Sequence, residues 1–458
     1  MKIHSIRLRH CYHFADLSLH FKYSNKPITV ILGDQSSGKT AILKNIYQSL
    51  TWFSARLKDA RTSGVVMLDS DVMRDRMQSK IEVSVQFSPE IGKLSESSTS
   101  LEKDVSIASW HLYKTLNTSG LGHSKIETHE LEQLAHLYNR AIQQDPLQGL
   151  PLIAYYPTDR FVNEMNLISK NNPGVFLNFA AYELAAIPYT TFSRFFEWFR
   201  EVSDVENAQT AQLFQHILGD YKKNRDATFE TTFNLTRSFF QNHSAPNASC
   251  LSALKVALNK VLPDLTDLYL EYLPKLQLMV TYKGKTVPFT QLSNSIRNWI
   301  ALVGDIVRRL CLLNPNSLFP CLEGEGILMI DNIDAQLDQE SCQNILERLH
   351  QAFPQVQIIA TGSNPELLEY ADEYQYLKLE DKTVHEISLS EASSSFSDIL
   401  KGLFTEEHIQ RHDDLTDPIL SDQSVQSMYE KFQYLTTEQQ NELIKLIKGN
   451  GNIPSEKI

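Results

Sequence analysis

The sequence has 458 residues, 42% hydrophobic and 21% charged, the balance of a folded chain with room for two or three cores or for one core with a sizeable insertion. Its formal net charge of -12 at pH 7 argues against a surface that wraps nucleic acid nonspecifically, so any such contact has to come from a local basic groove. Cys11, Cys250, Cys311, Cys321 and Cys342 are scattered without CxxC pairing, so neither a disulfide framework nor a zinc ribbon is indicated, which suits a reducing cytoplasm. No apolar run approaches the ~18 residues that argue for a membrane span, and the alternating start MKIHSIRLRHCYHF is not a signal-peptide core.

In chain order, KIHSIRLRH and DLSLHF alternate at period two and predict strands, PITVILG predicts a short buried strand, and KTAILKNIYQSLTWF carries Ile42, Ile46 and Leu50 at helical spacing. GVVMLDS, SKIEVSVQF and VSIASWHLYKT predict further strands, with the serine-rich LSESSTSLEKD as a solvent loop. A helix over residues 127–144 leads to PLIAYYPTDR, a buried strand ending in polar residues. Aromatic segments such as TTFSRFFEWFREV then alternate with polar ones, which predicts a helical insertion or, alternatively, an independent helical domain. LQLMVTYKGKTVPFTQL reads as a hairpin turning at Gly284, and NSIRNWIALVGDIVRRLCLL as a long helix. The strand GILMID, a helix over about 339–352 and the strands VQIIATGS and EYQYLKLE complete the pattern. The expected organisation is an α/β core built from residues 1–164 and 276–388, a helical insertion over 165–275, and a mostly helical tail over 389–458 that caps the core or docks a partner.

GDQSSGKT, the run Gly33, Asp34, Gln35, Ser36, Ser37, Gly38, Lys39, Thr40, satisfies G-x-x-x-x-G-K-[ST] between a predicted strand and a predicted helix. Its glycines permit close turns so that successive N–H groups surround phosphates, Lys39 reaches the terminal phosphates, and the Thr40 hydroxyl ligates Mg2+. ATP is the expected ligand. Asp331, ending the strand Ile327 to Ile330, supplies the acidic group near the metal, while Asp334 is a candidate to orient water or close an interface.

The ordered set GDQSSGKT, PLIAYYPTDR, QLSNSIRNWIALVGDIVRRL, GEGILMIDNIDAQLD and IIATGSNPELL resembles the ABC-type ATPases of the RecF, SMC and OLD group. The resemblance is nearest to compact members found beside nucleases in bacterial anti-phage systems of the Septu type or associated with retrons. It implies an ABC-type P-loop core in at least a dimer, each subunit presenting a serine-containing signature to its partner's ATP. Leu292 and Ser293 match the start of that signature, although Ser293 also suits a plain helix N-cap. Arg297 matches a basic position after it, the helix onward to Arg308 and Arg309 is well matched, and Leu337 and Asp338 match the interface-crossing loop.

Three positions depart from the family. Ser295 stands where a glycine lets the backbone approach the opposite γ-phosphate, Asn332 replaces the glutamate that polarises water, and Gly362 replaces a histidine that contacts the γ-phosphate. Asn332 and Gly362 therefore occupy catalytic positions without the usual chemistry, with Asp334 and Asp159 as candidate substitute carboxylates. Neither EDKTVHEISLSEASS nor QRHDDLTDP forms a convincing nuclease centre. The expected role is an ATP-binding regulatory subunit of a defence complex, with weak or absent hydrolysis, controlling a separate effector nuclease, for which an HNH enzyme is one candidate; DNA or reverse-transcribed DNA/RNA is a further candidate partner. The alternative is an active DNA-associated ATPase of repair. Phe195, Phe196, Trp198 and Phe199 are read as core, because basic residues do not interleave with them as in a base-stacking platform.

Overall fold

The computed structural model describes residues 1–23, 26–94, 106–117, 120–162, 178–182, 192–223, 246–368 and 373–387. The expected tail over 389–458 lies outside these residues, as do 165–177, 183–191 and 224–245 of the expected insertion. In chain order the elements are β1 (Lys2–Cys11), β2 (Phe14–His20), β3 (Ile28–Gly33), α1 (Lys39–Lys58), β4 (Gln78–Gln86), β5 (Ile107–Asn117), β6 (Gly120–Glu127), α2 (His129–Gln144) and β7 (Leu152–Tyr156). There follow α3 (Ser193–Lys223), α4 (Pro246–Val261), β8 (Leu265–Glu271), β9 (Gln277–Tyr282), β10 (Lys285–Pro288), α5 (Asn294–Leu313) and α6 (Pro320–Glu323). The last are β11 (Gly326–Ile330), α7 (Gln339–Ala352), β12 (Val356–Gly362), β13 (Gln375–Glu380) and β14 (Thr383–Glu386).

Two kinds of strand pattern give two kinds of sheet. β1 and β4 bury side chains in alternation, as one-sided strands do, and lie in an antiparallel sheet of order β2-β1-β4-β5-β6. By contrast β7, β11 and β12 are buried at every residue, the signature of a parallel sheet covered on both faces. They belong to the central sheet, ordered β14-β13-β3-β12-β11-β7, in which all neighbours are parallel except the edge strand β14. Its register sets Leu32 beside Gly362 and Ile330 beside both Tyr156 and Ala360, so the carboxyl ends of β3, β12, β11 and β7 open together.

Two buried glutamines splice the sheets. Gln357, in the middle of the central sheet, accepts a hydrogen bond from the Ile3 N–H (2.7 Å) through Oε1 and donates to the Ile3 carbonyl (3.3 Å) through Nε2. This exchange sits where β1 slips register between Ile3 and Ser5, so the side chain satisfies backbone groups freed by the irregularity. Gln375 does the same for the end of β2, accepting from Lys22 N–H and the Thr29 hydroxyl and donating to the His20 carbonyl.

β8, β9 and β10 form a small antiparallel sheet, with Lys283 and Gly284 both at positive φ in the tight turn between β9 and β10. The aromatics of α3 are core: Phe195, Phe196, Trp198 and Phe199 are buried, and Phe196 meets Phe289 edge to face at 5.4 Å. Gly304 of α5 makes the close helix approach possible, since a Cβ there would fall 2.3 Å from the Phe195 ring.

Two readings of the sequence change. Gly64 to Leu68 joins no sheet and Asp69–Asp71 is a short 3-10 turn, because side chains of α1 take the backbone groups of the segment: Trp52 Nε1 donates to Val65 O (2.9 Å), Gln48 Nε2 to Val66 O (2.6 Å), and Val65 N–H donates to the Thr51 hydroxyl (2.8 Å). Residues 265–271, read as helical, are the strand β8, whose alternating LTDLYLE pairs with β9. The stretch EDKTVHE makes the end of β13, a tight turn and β14, which adds an antiparallel edge to the central sheet. Gln357→Leu keeps the volume but strands the Ile3 N–H and carbonyl in the interior, so it should destabilise the fold by roughly 1–3 kcal/mol, read as a lowered denaturation midpoint in urea.

Candidate functional site

β3 delivers the chain into the loop Gly33 to Thr40, which runs on directly as α1. Gly38 has φ 109°, and a Cβ on it would lie 2.4 Å from His13 Nε2 and 2.6 Å from Phe14 Cζ, so both conformation and space demand glycine. The His13 ring in turn hydrogen-bonds the Ser37 carbonyl at 2.9 Å and braces the loop from the β1–β2 turn. Asp34, Gln35 and Ser36 are exposed along the loop. Lys39 donates to the carbonyls of Gly33 and Asp34, the latter at 2.8 Å. Burial lowers its pKa from the usual lysine value, opposed by the carboxylates of Asp334, Asp331 and Asp34. The first turn of α1 contains no acidic residue, which leaves the positive end of the helix free to face an anion.

Asp331 lies at the end of β11 with 1% of its surface exposed. Its Oδ2 accepts from the hydroxyls of Thr40 and Thr158, each at 2.8 Å, and its Oδ1 from the Thr361 hydroxyl at 2.6 Å. Thr40 and Asp331 thus meet from opposite ends of the sequence and offer the hard oxygen donors a magnesium ion takes. Among the described residues no group of three or more His, Cys, Asp or Glu forms a ready-made metal site.

The turn after Asp331 is held by its backbone. Arg160 donates to the carbonyls of Asp331 (2.5 Å) and Pro157 (3.0 Å) through Nη1 and to that of Asn332 (2.9 Å) through Nη2. Burial lowers its pKa to about 10, against the pull of Asp331 and Asp334. Asn332 has φ 50°, a left-handed conformation that asparagine tolerates better than most residues, and its N–H donates to the Thr361 hydroxyl at 2.8 Å. Thr158, Arg160 and Thr361 escaped the sequence reading as site residues. The signal available was their place just after, or at the end of, a fully buried strand in PLIAYYPTDR and IIATGSNP.

Of the two candidate substitute carboxylates, Asp159 is exposed, whereas Asp334 is partly buried and accepts through Oδ2 from the N–H groups of Ser363 (2.8 Å) and Asn364 (2.7 Å). Gly362 faces it: a Cβ there would stand 3.3 Å from Asp334 Oδ1 and 2.3 Å from Leu367 Cδ1.

The signature residues stand apart. Ser293 is the N-cap of α5, its hydroxyl accepting from Ile296 N–H, and it is exposed; Ser295 turns its hydroxyl onto the Gln336 carbonyl at 2.6 Å. Among the described residues, no hydrogen bond joins either serine to the phosphate loop. Leu337 and Asp338 follow Gln336, with Asp338 capping α7 through Ser341 N–H. Arg308 and Arg309 are buried instead, both bonded to Asp305, which also accepts from the Tyr156 hydroxyl.

Comparison with known proteins adds four findings. The family model described as AAA domain, AAA_23, matches residues 5–264. The chain is 25% identical over 402 residues to a protein named Retron Ec83 probable ATPase from Escherichia coli, covering 81% of this chain and 70% of that one. It is 24% identical over 464 aligned positions to Retron Vc95 probable ATPase from Vibrio cholerae serotype O1 biovar El Tor, covering 96% and 85%. Among solved structures, an Smc head bound to the C-terminal winged-helix domain of ScpA matches with TM-score 0.45 and 12% identity, over 86% of this chain and all of that one.

The Thr361 hydroxyl both donates to Asp331 and accepts from Asn332 N–H. Thr361→Val, equal in shape, should therefore cost about 1–3 kcal/mol of stability. It should also weaken magnesium-dependent nucleotide binding more than metal-free binding, measured by titration calorimetry with and without the cation.

Proposed function

The chain belongs to the AAA domain family AAA_23, and we propose that it is the ATP-binding regulatory subunit of a bacterial anti-phage defence complex, controlling a separate nuclease with little intrinsic hydrolysis. The observation that carries this reading is the pairing of an assembled nucleotide cradle with an amide at the position after Asp331. Gly33 to Thr40 supply the cradle, Lys39 the terminal-phosphate contact, and Thr40 with Asp331 the Mg2+ donors. Asn332 offers no carboxylate to accept a proton from water, and Gly362 no side chain to the γ-phosphate. Both curated relatives carry retron names and the word ATPase, which supports the defence setting and the nucleotide chemistry. Ser293 and Ser295, exposed or partly exposed beside Leu337 and Asp338, make a face suited to a second copy of the chain, with ATP as the clamp between copies.

Titration calorimetry on the purified protein should find magnesium-dependent ATP binding with slow phosphate release. Lys39→Ala removes a charge-assisted phosphate contact and should weaken binding by roughly 10-fold or more. In the complex purified with the nuclease encoded beside it, the same change should abolish ATP control of nucleic-acid cleavage. Rapid release that DNA accelerates further would overturn the clamp and favour a cycling DNA-associated ATPase. Asn332→Glu should raise phosphate release while lowering stability by about 1 kcal/mol, since glutamate lacks asparagine's tolerance of a left-handed backbone.

A further inference from the structure

The amino ends of β7 and β11, opposite the carboxyl ends that carry the phosphate loop, open onto a cavity of about 220 Å³. It lies between the chain leading into β7 and the chain from α5 to β11. Asn316 Nδ2 donates to the Pro146 carbonyl (2.6 Å) and Leu150 N–H to the Leu313 carbonyl (3.0 Å), so these two walls are tied together. The volume is well above the ~15 Å³ that one water needs and below the ~300 Å³ at which small-molecule pockets begin, the size for a single inserted side chain.

The lining selects the kind of side chain. Glu90, Asp145, Glu323 and Glu325 all line the cavity, and no lysine, arginine or histidine does. Glu325 pairs with the Met1 ammonium at 2.9 Å, whereas among the described residues no cation pairs with the other three. Tyr138, at 2% exposure, also lines the cavity, and among the described residues no hydrogen bond reaches its hydroxyl. A buried tyrosine hydroxyl ordinarily finds a partner, and leaving it without one is costly. Around the mouth, Leu147, Leu318, Phe319 and Leu322 are 69%, 66%, 57% and 41% exposed, an apolar rim carried on the same two stretches of chain. Exposed apolar side chains gathered beside polar ones mark a protein-binding surface.

We propose that this end of the molecule docks a basic protein segment of the partner nuclease, whose arginine or lysine side chain enters the cavity while its apolar neighbours cover Leu147, Leu318, Phe319 and Leu322. The nuclease as partner rests on the functional reading above. Charge chooses the occupant: a second copy of this chain, at a formal net charge of -12, brings like charge, and so does nucleic acid. A nuclease must carry basic segments to hold its polyanionic substrate. The inserted cation gives the unpaired carboxylates the counter-charge they lack and the Tyr138 hydroxyl a donor. α5 begins beside Ser293 and ends at the cavity wall, and its 20 residues span roughly 30 Å, so nuclease and second copy occupy opposite ends of one helix.

The test uses the full-length chain and the nuclease encoded beside it, with affinity read by biolayer interferometry at low and high salt. Glu90→Lys combined with Glu323→Lys should weaken binding roughly 10-fold or more at low salt and flatten its salt dependence. Phe319→Ser should weaken binding while leaving that dependence in place. Asp264→Lys, a charge reversal at an exposed position before β8, should change neither, and ATP affinity should match the wild type in every variant. Unchanged affinity in the double variant overturns the proposal, as does an equal loss in Asp264→Lys. Dissociation of the chain's own oligomer by the double variant, read by light scattering, gives the face to a second copy and overturns it too. If the wild type binds no nuclease, nuclease control falls by itself, and a helical peptide of leucine and arginine decides the docking face. One-to-one peptide binding that the double variant loses upholds a face for basic segments; no binding, or binding that the double variant keeps, overturns it.

Discussion

The carboxylate of Asp331 sets the terms for the rest of the site. At 1% exposure it has to find its donors inside the protein, and it finds three threonine hydroxyls: Thr40 at the start of α1, Thr158 after β7 and Thr361 in β12. Each donor comes from a different part of the chain, so the charge is satisfied only when β3, β7, β11 and β12 stand in their observed register. The metal-type position and the packing of the central sheet are therefore one constraint. A second polar node supports it from within: Asp305 of α5 accepts from Tyr156, the last residue of β7, and from Arg308 and Arg309, which hold its carboxyl well below the usual range despite the opposing effect of burial. α5 is thereby fixed to the strand whose end carries Thr158.

The sheet order explains why the site needs both ends of the chain. β3 lies between β12 and β13, more than three hundred residues away in sequence, and Gln357 and Gln375 tie those late strands to the first twenty-odd residues. A glutamine can mimic a short piece of backbone, donating and accepting from one amide, which is why it serves where a strand changes partner. His13, on the β1–β2 turn, then reaches the phosphate loop. The antiparallel sheet thus contributes directly to the loop's shape as well as covering the core.

What was legible in the sequence follows from how local each feature is. The phosphate loop could be read because glycine spacing, lysine and threonine lie within eight residues, and β3, β11 and β12 because a strand covered on both faces is rich in apolar, β-branched residues. Ser293 as a helix cap was legible for the same reason, since the donor lies three residues on. GVVMLDS misled because its apolar residues imitate a strand, while its backbone partners are Trp52, Gln48 and Thr51 of a helix already passed. Arg160 and Thr361 could not be assigned because their partners, the carbonyls of residues 331 and 332 and the Asp331 carboxylate, lie 171, 172 and 30 positions away. The departure at Ser295 was visible as a residue type, but which way its hydroxyl turned was not.

That orientation changes what the departure means. The residue that the resemblance sets in place of a glycine spends its hydroxyl on the Gln336 carbonyl of the same chain. Asn298, one turn further along α5, donates to the Gln336 side chain and accepts from Val162 N–H, and Val162 lies two residues beyond Arg160, which holds the carbonyls of Asp331 and Asn332. The bonds close a circuit through the β7 exit, the turn after β11 and the first turn of α5. One route out of the Asp331 turn thus ends on α5, while others end on Thr40 of α1 and Thr361 of β12. The Ser295 hydroxyl therefore joins the first turn of α5 to the turn after β11 more tightly than a residue without a hydroxyl could do.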